Sequence, residues 1–203
     1  MKILIASRNA HKIQEIREIF DLPGVEWVST AAFPDLHDVV EDGDTFEANA
    51  IKKATELARA TGLWALADDS GLEVSALGNA PGVYSARYAG EPCSHANNNA
   101  KLLRELEGKA DRSARFRCVA ALSDPAGRAE TVSGSCPGCI IEKLRGAQGF
   151  GYDPLFVPDG YERTFAEMGN AQKNQLSHRG RAMTLAKEKW GALIDSNAAG
   201  FPR

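Results

Sequence analysis

An apolar segment that runs directly into two adjacent carboxylates constrains the fold of this chain more than any other feature. Residues 64–67 are typical of a buried strand, and Asp68 and Asp69 follow without a break. Two neighbouring negative charges at the end of a buried strand repel each other and lose solvation, so we expect a cation there. Mg²⁺ fits, because it prefers oxygen ligands and takes one or two protein carboxylates beside substrate phosphates. The alternative is an ordinary turn, since Asp-Asp-Ser-Gly side chains also bond to their own backbone.

Strands and helices alternate at both ends of the chain, and an antiparallel segment lies between them. The hydrophobic patterns predict strands over 2–6, 25–28, 64–67, 72–77, 112–123, 128–135 and 155–157, and helices over about 10–20, 44–61, 94–106 and 177–196. Asp44 and Glu47 suggest a capping box for the second helix, and residues 78–90 are predicted to be a loop. We therefore expect an α/β fold with a mixed β-sheet flanked by helices, as a single domain over residues 1–203.

Composition narrows the function classes without selecting one. The chain has 203 residues, of which 43 % are hydrophobic, and a formal net charge of −3. Such a charge gives no general attraction for nucleic acid or anionic membranes, and no apolar stretch approaches membrane length. We therefore expect a soluble, cytoplasmic protein that binds neither.

Cys136 and Cys139 form a C-x-x-C pair, which raises a zinc or redox interpretation. A zinc site needs two more soft ligands at suitable spacing, and a thioredoxin-like motif opens a helix, whereas this pair lies in a β-rich segment. We favour packing around a Pro-Gly bend and keep a redox or zinc protein as an alternative.

The segment 7–12 lies where the first strand passes into the first helix. Backbone N–H groups at a helix start favour phosphate, and Lys12 adds a full charge one turn in. Asn9 is also an ordinary helix cap, and the segment does not match a P-loop.

Two later segments carry groups suited to a nucleobase. Residues 149–154 place Phe150 between glycines, where a flat base can stack. Lys173, His178 and Arg179, expected at the head of the last helix, are donors that match the acceptor edge of a purine. The alternative for Lys173, His178 and Arg179 is a capped helix with a solvated basic turn.

Several of these segments belong to one ordered set of motifs. The chain contains, in order, Ser7-x-Asn9-x-x-Lys12, Glu41, Thr45-Phe46-x-x-Asn49-Ala50, Ala67-Asp68-Asp69-Ser70-Gly71-Leu72, Gly78-x-Ala80-Pro81-Gly82, Tyr84-Ser85-Ala86-Arg87-Tyr88, Phe150-Gly151-Tyr152-Asp153-Pro154, Lys173 and Ser177-His178-Arg179-Gly180. Together they resemble the inosine triphosphate pyrophosphatase family over nearly the whole chain. Position 48, often acidic in that family, is Ala48 here, which puts an outer carboxylate in doubt.

The resemblance implies an elongated α/β fold with the active site in a cleft between two lobes, usually in a homodimer. It implies Mg²⁺-dependent hydrolysis of ITP, dITP or XTP to the monophosphate and pyrophosphate. The residues carried over are Ser7, Arg8, Asn9, Ala10, His11 and Lys12 for the triphosphate, Glu41 and Asp69 for the metal, Ser70 for the nucleotide, Phe150, Gly151, Tyr152, Asp153, Lys173, His178 and Arg179 for the base and sugar, and Lys53 as a further phosphate contact.

The predicted mechanism uses Asp69 as the base that activates water, with Asp68 in reserve. Donors that fit a 6-oxo purine meet the 6-amino group of adenine donor to donor, and such a mismatch discriminates by ~10⁴. A noncatalytic nucleotide sensor with the same residues is the second hypothesis.

Overall fold

The computed structural model describes residues 1–20, 22–196 and 200–201, and the chain forms two compact units. The first unit comprises Met1–Asp69, Cys118–Gly134 and the chain from Arg179 onward. The second unit comprises Ser70–Arg117 and Ser135–His178. The single domain over residues 1–203 and the cleft between lobes stay predictions.

Among the described residues, six strands form one mixed sheet in the order β2-β1-β3-β4-β5-β6. The strands are β1 (Lys2–Ile5), β2 (Glu26–Ser29), β3 (Trp64–Val74), β4 (Ser113–Ser123), β5 (Ala129–Ile140) and β6 (Phe156–Pro158). β1 pairs in parallel with both β2 and β3, whereas β5 and β6 are antiparallel. The predicted mixed sheet of an α/β fold is confirmed.

In the described part of the chain, five α-helices accompany the sheet. They are α1 (Ala10–Ile19), α2 (Phe46–Thr61), α3 (His95–Glu105), α4 (Asn170–Leu176) and α5 (His178–Asp195). Short 3₁₀ helices occupy Thr30–Ala32, Ser75–Leu77, Gly82–Arg87 and Phe165–Glu167. In the part of the chain that the structure describes, none of the helices combines the length and apolar character that a bilayer crossing needs.

Each unit has its own hydrophobic core. The core of the first unit is built around Ile3, Ile5, Phe20, Leu66, Met183 and Trp190. The core of the second unit is built around Leu72, Leu102, Phe116, Leu155, Phe156 and Phe165. Both cores remove large side chains from water, which is the main favourable contribution to folding.

The prediction that a strand ends at the two carboxylates is wrong, and so is the alternative of a turn. β3 continues from Trp64 through both aspartates to Val74, so the strand predicted over 72–77 is its final part, followed by a 3₁₀ helix. The strand continues because each buried carboxylate has a polar partner from a neighbouring element, which removes the cost of taking the charge inside.

Two predicted helix starts shift for local reasons. The side chain of Thr45, rather than that of Asp44, caps α2 by accepting from the Ala48 N–H at 3.1 Å. Lys173 does not lie in the last helix, because the short helix α4 precedes α5 and ends at Leu176. Ser177, extended at φ −68° and ψ 157°, separates the two helices.

The Pro-Gly bend at the C-x-x-C pair is also absent, because β5 continues through it to Ile140. Side chains alternate between the faces of a strand, so two cysteines three residues apart point in opposite directions. Cys136 is buried, Cys139 is exposed, and neither forms a disulfide. This arrangement excludes a zinc or dithiol centre built on that pair.

Candidate functional site

Asp68 and Asp69 point to opposite faces of the sheet, because they are consecutive residues of β3. Both are buried, with 1 % and 7 % of their surface exposed. They therefore do not act as a paired ligand, and each has its own surroundings.

Asp68 lies in a buried group of alternating charges within the first unit. Its Oδ2 atom accepts from Arg179 Nε and Nη2 at 3.2 and 3.1 Å and pairs with Lys12 Nζ at 3.2 Å. Arg179 Nη1 also donates to Glu15 Oε2 at 2.5 Å. Burial acts to raise the pKa of Asp68, but Lys12 and Arg179 hold it well below its usual range. Asp68 therefore stays ionised and is a weaker proton acceptor than an ordinary aspartate, which favours Asp69 over it as the base.

Asp69 has the opposite electrostatic character. Asn49 Nδ2, from α2, donates to Asp69 Oδ2 at 3.0 Å. Burial, and next to it the negative charge of Glu41, raises the pKa of Asp69 to about 6, while Lys12 opposes the rise. Lys53 Nζ pairs with Glu41 Oε1 at 2.9 Å. One electrostatic group, which we call the carboxylate–lysine group, is thus formed by Asp69, Glu41, Lys12 and Lys53.

This group contains carboxylate oxygens, the kind of ligand atom that a magnesium ion prefers. Glu41 and Asp69 offer carboxylate oxygens, and a divalent cation between them would relieve their mutual repulsion. Among the described residues, no group of three or more His, Cys, Asp and Glu side chains is arranged to hold a metal ion. Mg²⁺ needs only one or two carboxylates beside a phosphorylated substrate, so the residues present fit it.

The strand-to-helix junction is present as predicted, but some of its backbone N–H groups already donate hydrogen bonds within the segment. Asn9 caps α1, and its Oδ1 atom accepts from the N–H groups of His11 and Lys12 at 3.0 and 3.2 Å. Ser7 Oγ accepts from the Asn9 N–H at 3.2 Å, and Arg8 pairs with Asp38 at 2.9 Å on the surface. Ala10 is the first residue of α1. The binding of triphosphate by residues 7–12 stays a prediction, in which Lys12 supplies the charge.

Residues 149–154, which we call the aromatic turn, are built around a buried ion pair in the second unit. Asp153 Oδ2 accepts from Lys173 Nζ at 2.8 Å and from the Phe150 N–H at 2.9 Å. Lys173 Nζ also lies 4.9 Å from the centre of the Phe150 ring, a distance at which a cation and an aromatic face attract. The turn therefore fixes the backbone at Phe150 and places a lysine against its ring.

Gly149 is required for this arrangement. Its φ of +73° lies in the left-handed region, and a Cβ atom there would overlap Asp153 Oδ2. Any larger residue would push the carboxylate away from Lys173.

The remaining predicted site residues fall into both units. His178 is buried and stacks on Phe116 with ring centres 4.7 Å apart and planes 12° apart, and Tyr152 donates to the Ser85 carbonyl at 2.8 Å. Ser70, half-buried, opens the second unit. Arg179 lies in the first unit with Asp68 and not with Lys173, so its contact with a base stays a prediction.

Sequence reasoning assigned no role to Asn49, although this residue holds the central carboxylate. It is a fully buried amide on the otherwise apolar inner face of α2, beside Phe46 and Ala50. An asparagine at a core-facing helix position was the signal, because such a residue needs a buried partner.

The structure is that of an α/β protein with a carboxylate–lysine group suited to a metal–phosphate complex and an aromatic turn suited to a base. The chain belongs to the Ham1 family, whose model matches residues 3–189. It is 53 % identical over 190 residues to a dITP/XTP pyrophosphatase of Desulforamulus reducens, covering 93 % of this chain and 94 % of the relative. It is 50 % identical over 192 residues to a dITP/XTP pyrophosphatase of Geobacter sulfurreducens, covering 94 % and 96 %.

Solved structures agree with this assignment. The structure of the Staphylococcus aureus Ham1 protein superposes with a TM-score of 0.86 at 40 % sequence identity. The match covers 98 % of this chain and 100 % of the S. aureus chain. The family resemblance read from the motifs is thereby confirmed.

Proposed function

We propose that this protein hydrolyses the nonstandard purine nucleoside triphosphates ITP, dITP and XTP to the monophosphate and pyrophosphate. The observation that carries the proposal is the environment of the buried Asp69. Its carboxylate accepts a hydrogen bond from Asn49, and the charges of Glu41 and Lys12 act on it in opposite directions. The names of the two relatives described above support this substrate class.

Glu41 and Asp69 are the residues that would hold Mg²⁺. When bound, the ion supplies positive charge that offsets the charge of the triphosphate and polarises its phosphoryl oxygens. Lys12, which pairs with Asp68, adds charge from α1, and Lys53, which pairs with Glu41, adds charge from α2.

Asp69 is the residue that accepts the proton of the attacking water. In the metal-free protein the pKa of Asp69 is raised to about 6 by burial and by the charge of Glu41, so this carboxylate is mostly ionised at neutral pH and able to accept a proton. Asn49 fixes the orientation of that carboxylate by binding Oδ2, so the proton acceptor is positioned before substrate arrives.

The second unit carries most of the groups proposed to select the base. Phe150 offers a ring for stacking, and Lys173 and His178 supply donors for a 6-oxo purine. Arg179 belongs to the first unit, and its role as a further donor comes from the family resemblance. Adenine presents a 6-amino donor to these groups, which leaves buried donors unpaired and disfavours its binding. Ser70 and residues 7–12 complete the proposed nucleotide contacts.

The proposal includes a homodimer in the cytoplasm with no nucleic-acid or membrane partner. Sedimentation equilibrium tests the assembly, since a dimer has twice the mass of the 21.8 kDa chain. A monomer at micromolar concentration would contradict this part alone.

Turnover of dITP, XTP and dATP with Mg²⁺ and with EDTA tests the function. We expect hydrolysis of dITP and XTP only with the metal, and a preference over dATP of ~10⁴ in kcat/KM. Binding of dITP without turnover would support the sensor hypothesis instead. Equal rates for dITP and dATP would contradict the assignment of the base-selecting residues.

A further inference from the structure

Asn99, on α3, connects that helix to the aromatic turn within the second unit. Its Nδ2 atom donates to the Gly151 carbonyl at 3.0 Å, and its side chain is 6 % exposed. The orientation of the amide is determined by this contact, because the opposite orientation would place two carbonyl oxygens against each other. Gly151 has a φ of +63° and lies between Phe150 and Tyr152.

The other end of the Asn99 amide is its Oδ1 atom, which is buried and to which none of the residues that the structure describes donates a hydrogen bond. The preceding residue, Asn98, differs, because its Oδ1 accepts from the Ala89 N–H at 2.7 Å and its Nδ2 donates to the Ala86 carbonyl at 2.9 Å. Two adjacent buried asparagines on one helix are therefore satisfied to different degrees.

This difference indicates that Asn99 does not serve stability. An unmade buried acceptor costs at least as much as one ordinary hydrogen bond contributes, so the Gly151 contact does not repay the burial of the amide. A leucine, which branches at Cγ as asparagine does, would avoid the cost. What the amide does provide is a fixed Gly151 carbonyl, and with it a fixed backbone on the C-terminal side of Phe150.

We propose that Asn99 is a positioning residue for base recognition, which holds the aromatic turn in its binding conformation through Gly151. This inference rests on the proposed function, because the turn is there assigned to the base. The turn is then held from two directions. Asp153 fixes the Phe150 N–H from within the turn, and Asn99 fixes the next carbonyl from α3.

Asn99→Leu and Asn99→Asp test the proposal, with Asn97→Leu, at an exposed position of the same helix, as the matched control. Both variants remove the donor to Gly151. We expect each to raise KM for dITP and Kd for inosine monophosphate about tenfold, with kcat within twofold of wild type and the melting temperature of Asn99→Leu unchanged or higher. Asn97→Leu should change none of these values. Asn98→Leu should instead lower the melting temperature, because it removes satisfied bonds.

Binding of inosine monophosphate separates this inference from the proposed function, since it needs no turnover. A wild type that binds the monophosphate but does not hydrolyse dITP refutes the function and leaves the inference open to support from the variant affinities. Unchanged KM and Kd in both Asn99 variants would overturn the inference. Absence of monophosphate binding by the wild type would overturn it as well, and so would a loss of affinity that only accompanies a lower melting temperature.

Discussion

Asp68 and Asp69 show how one residue step along a strand separates two functions. Asp68 is compensated by Lys12 and Arg179 and remains an anion, whereas Asp69 meets Asn49 and the charge of Glu41. The two neighbours therefore have pKa values displaced in opposite directions, and such a separation of pKa values is how acid–base roles are assigned in enzymes. Adjacent acids suggested a cation site from the sequence, and the family resemblance assigned Asp69 to it. The extended backbone adds that the two acids point to opposite faces of the sheet.

Asp69→Asn should abolish turnover and leave the fold intact. The amide cannot accept the proton of water, and loss of a general base lowers kcat by ~10² to 10⁴. Steady-state kinetics with dITP and circular dichroism measure the two parts. Asp35→Asn, at an exposed aspartate, is the control and should behave as wild type. Near-normal activity of Asp69→Asn would show that another group is the base.

Arg179→Met should destabilise the protein strongly. It leaves Asp68 and Glu15 without the cation between them, and breaking a buried ion pair from one side costs about 3–5 kcal/mol. Lys189→Met removes a half-exposed pair with Glu130 and should cost less than about 1 kcal/mol. Urea unfolding of the two variants compares the free energies, and equal losses would refute the role given to the buried group.

Gly149→Ala should lower the affinity for the base by more than its backbone strain alone would cause. The added methyl group displaces Asp153 from Lys173, in addition to the cost of about 1–2 kcal/mol for an L residue at positive φ. Gly160→Ala carries only the second cost, because its φ is +82° and its surroundings are open. The affinity for inosine monophosphate should fall in the first variant only, and a similar fall in both would contradict the account of the turn.

At the level of elements, the sequence predicted where strands and helices exist better than where they end. The alternation of apolar residues located β4, and Ser94 correctly marked the start of α3. β3 and β5 are longer than predicted because Asp-Asp and Pro-Gly are turn formers in isolation. In β3 the partners that override that preference come from α1, α2 and α5, and tertiary partners are not visible in local sequence.

The path of β5 gives a prediction for the four cysteines. Cys93 and Cys139 are exposed, whereas Cys118 and Cys136 are buried. Burial, with the nearby charge of Asp68, raises the pKa of Cys118 to about 12, so this thiol stays protonated at pH 9. In the folded protein at pH 8 to 9, a thiol reagent should modify two cysteines rapidly and the other two only after unfolding.

Cys139→Ser should remove one fast-reacting thiol and leave activity unchanged, because β5 directs this residue away from Cys136. Loss of activity together with loss of a bound metal would restore the zinc hypothesis. Rapid modification of all four thiols in the native protein would contradict the burial of β4 and β5.

At the scale of the whole molecule, the residues that hold the candidate site residues in place could not be predicted from residue types. The sequence identified Lys12, Asp69, Phe150 and Lys173 as candidates, and family resemblance supplied their roles. It did not identify the residues that hold them, because Asn49 binds an aspartate 20 positions away and Asn99 binds a glycine 52 positions away. Such pairings depend on how distant segments fold together, whereas the candidates themselves follow from charge and aromatic chemistry.

The products formed from dITP test the central claim most directly, since every assigned role concerns a triphosphate cleaved between its first and second phosphorus atoms. Phosphorus NMR of a reaction with Mg²⁺ distinguishes the alternatives in one spectrum. The account predicts deoxyinosine monophosphate and pyrophosphate in equal amounts, formed ~10² to 10⁴ times more slowly by Asp69→Asn. Orthophosphate with deoxyinosine diphosphate, or pyrophosphate formed at the same rate by Asp69→Asn, would contradict it.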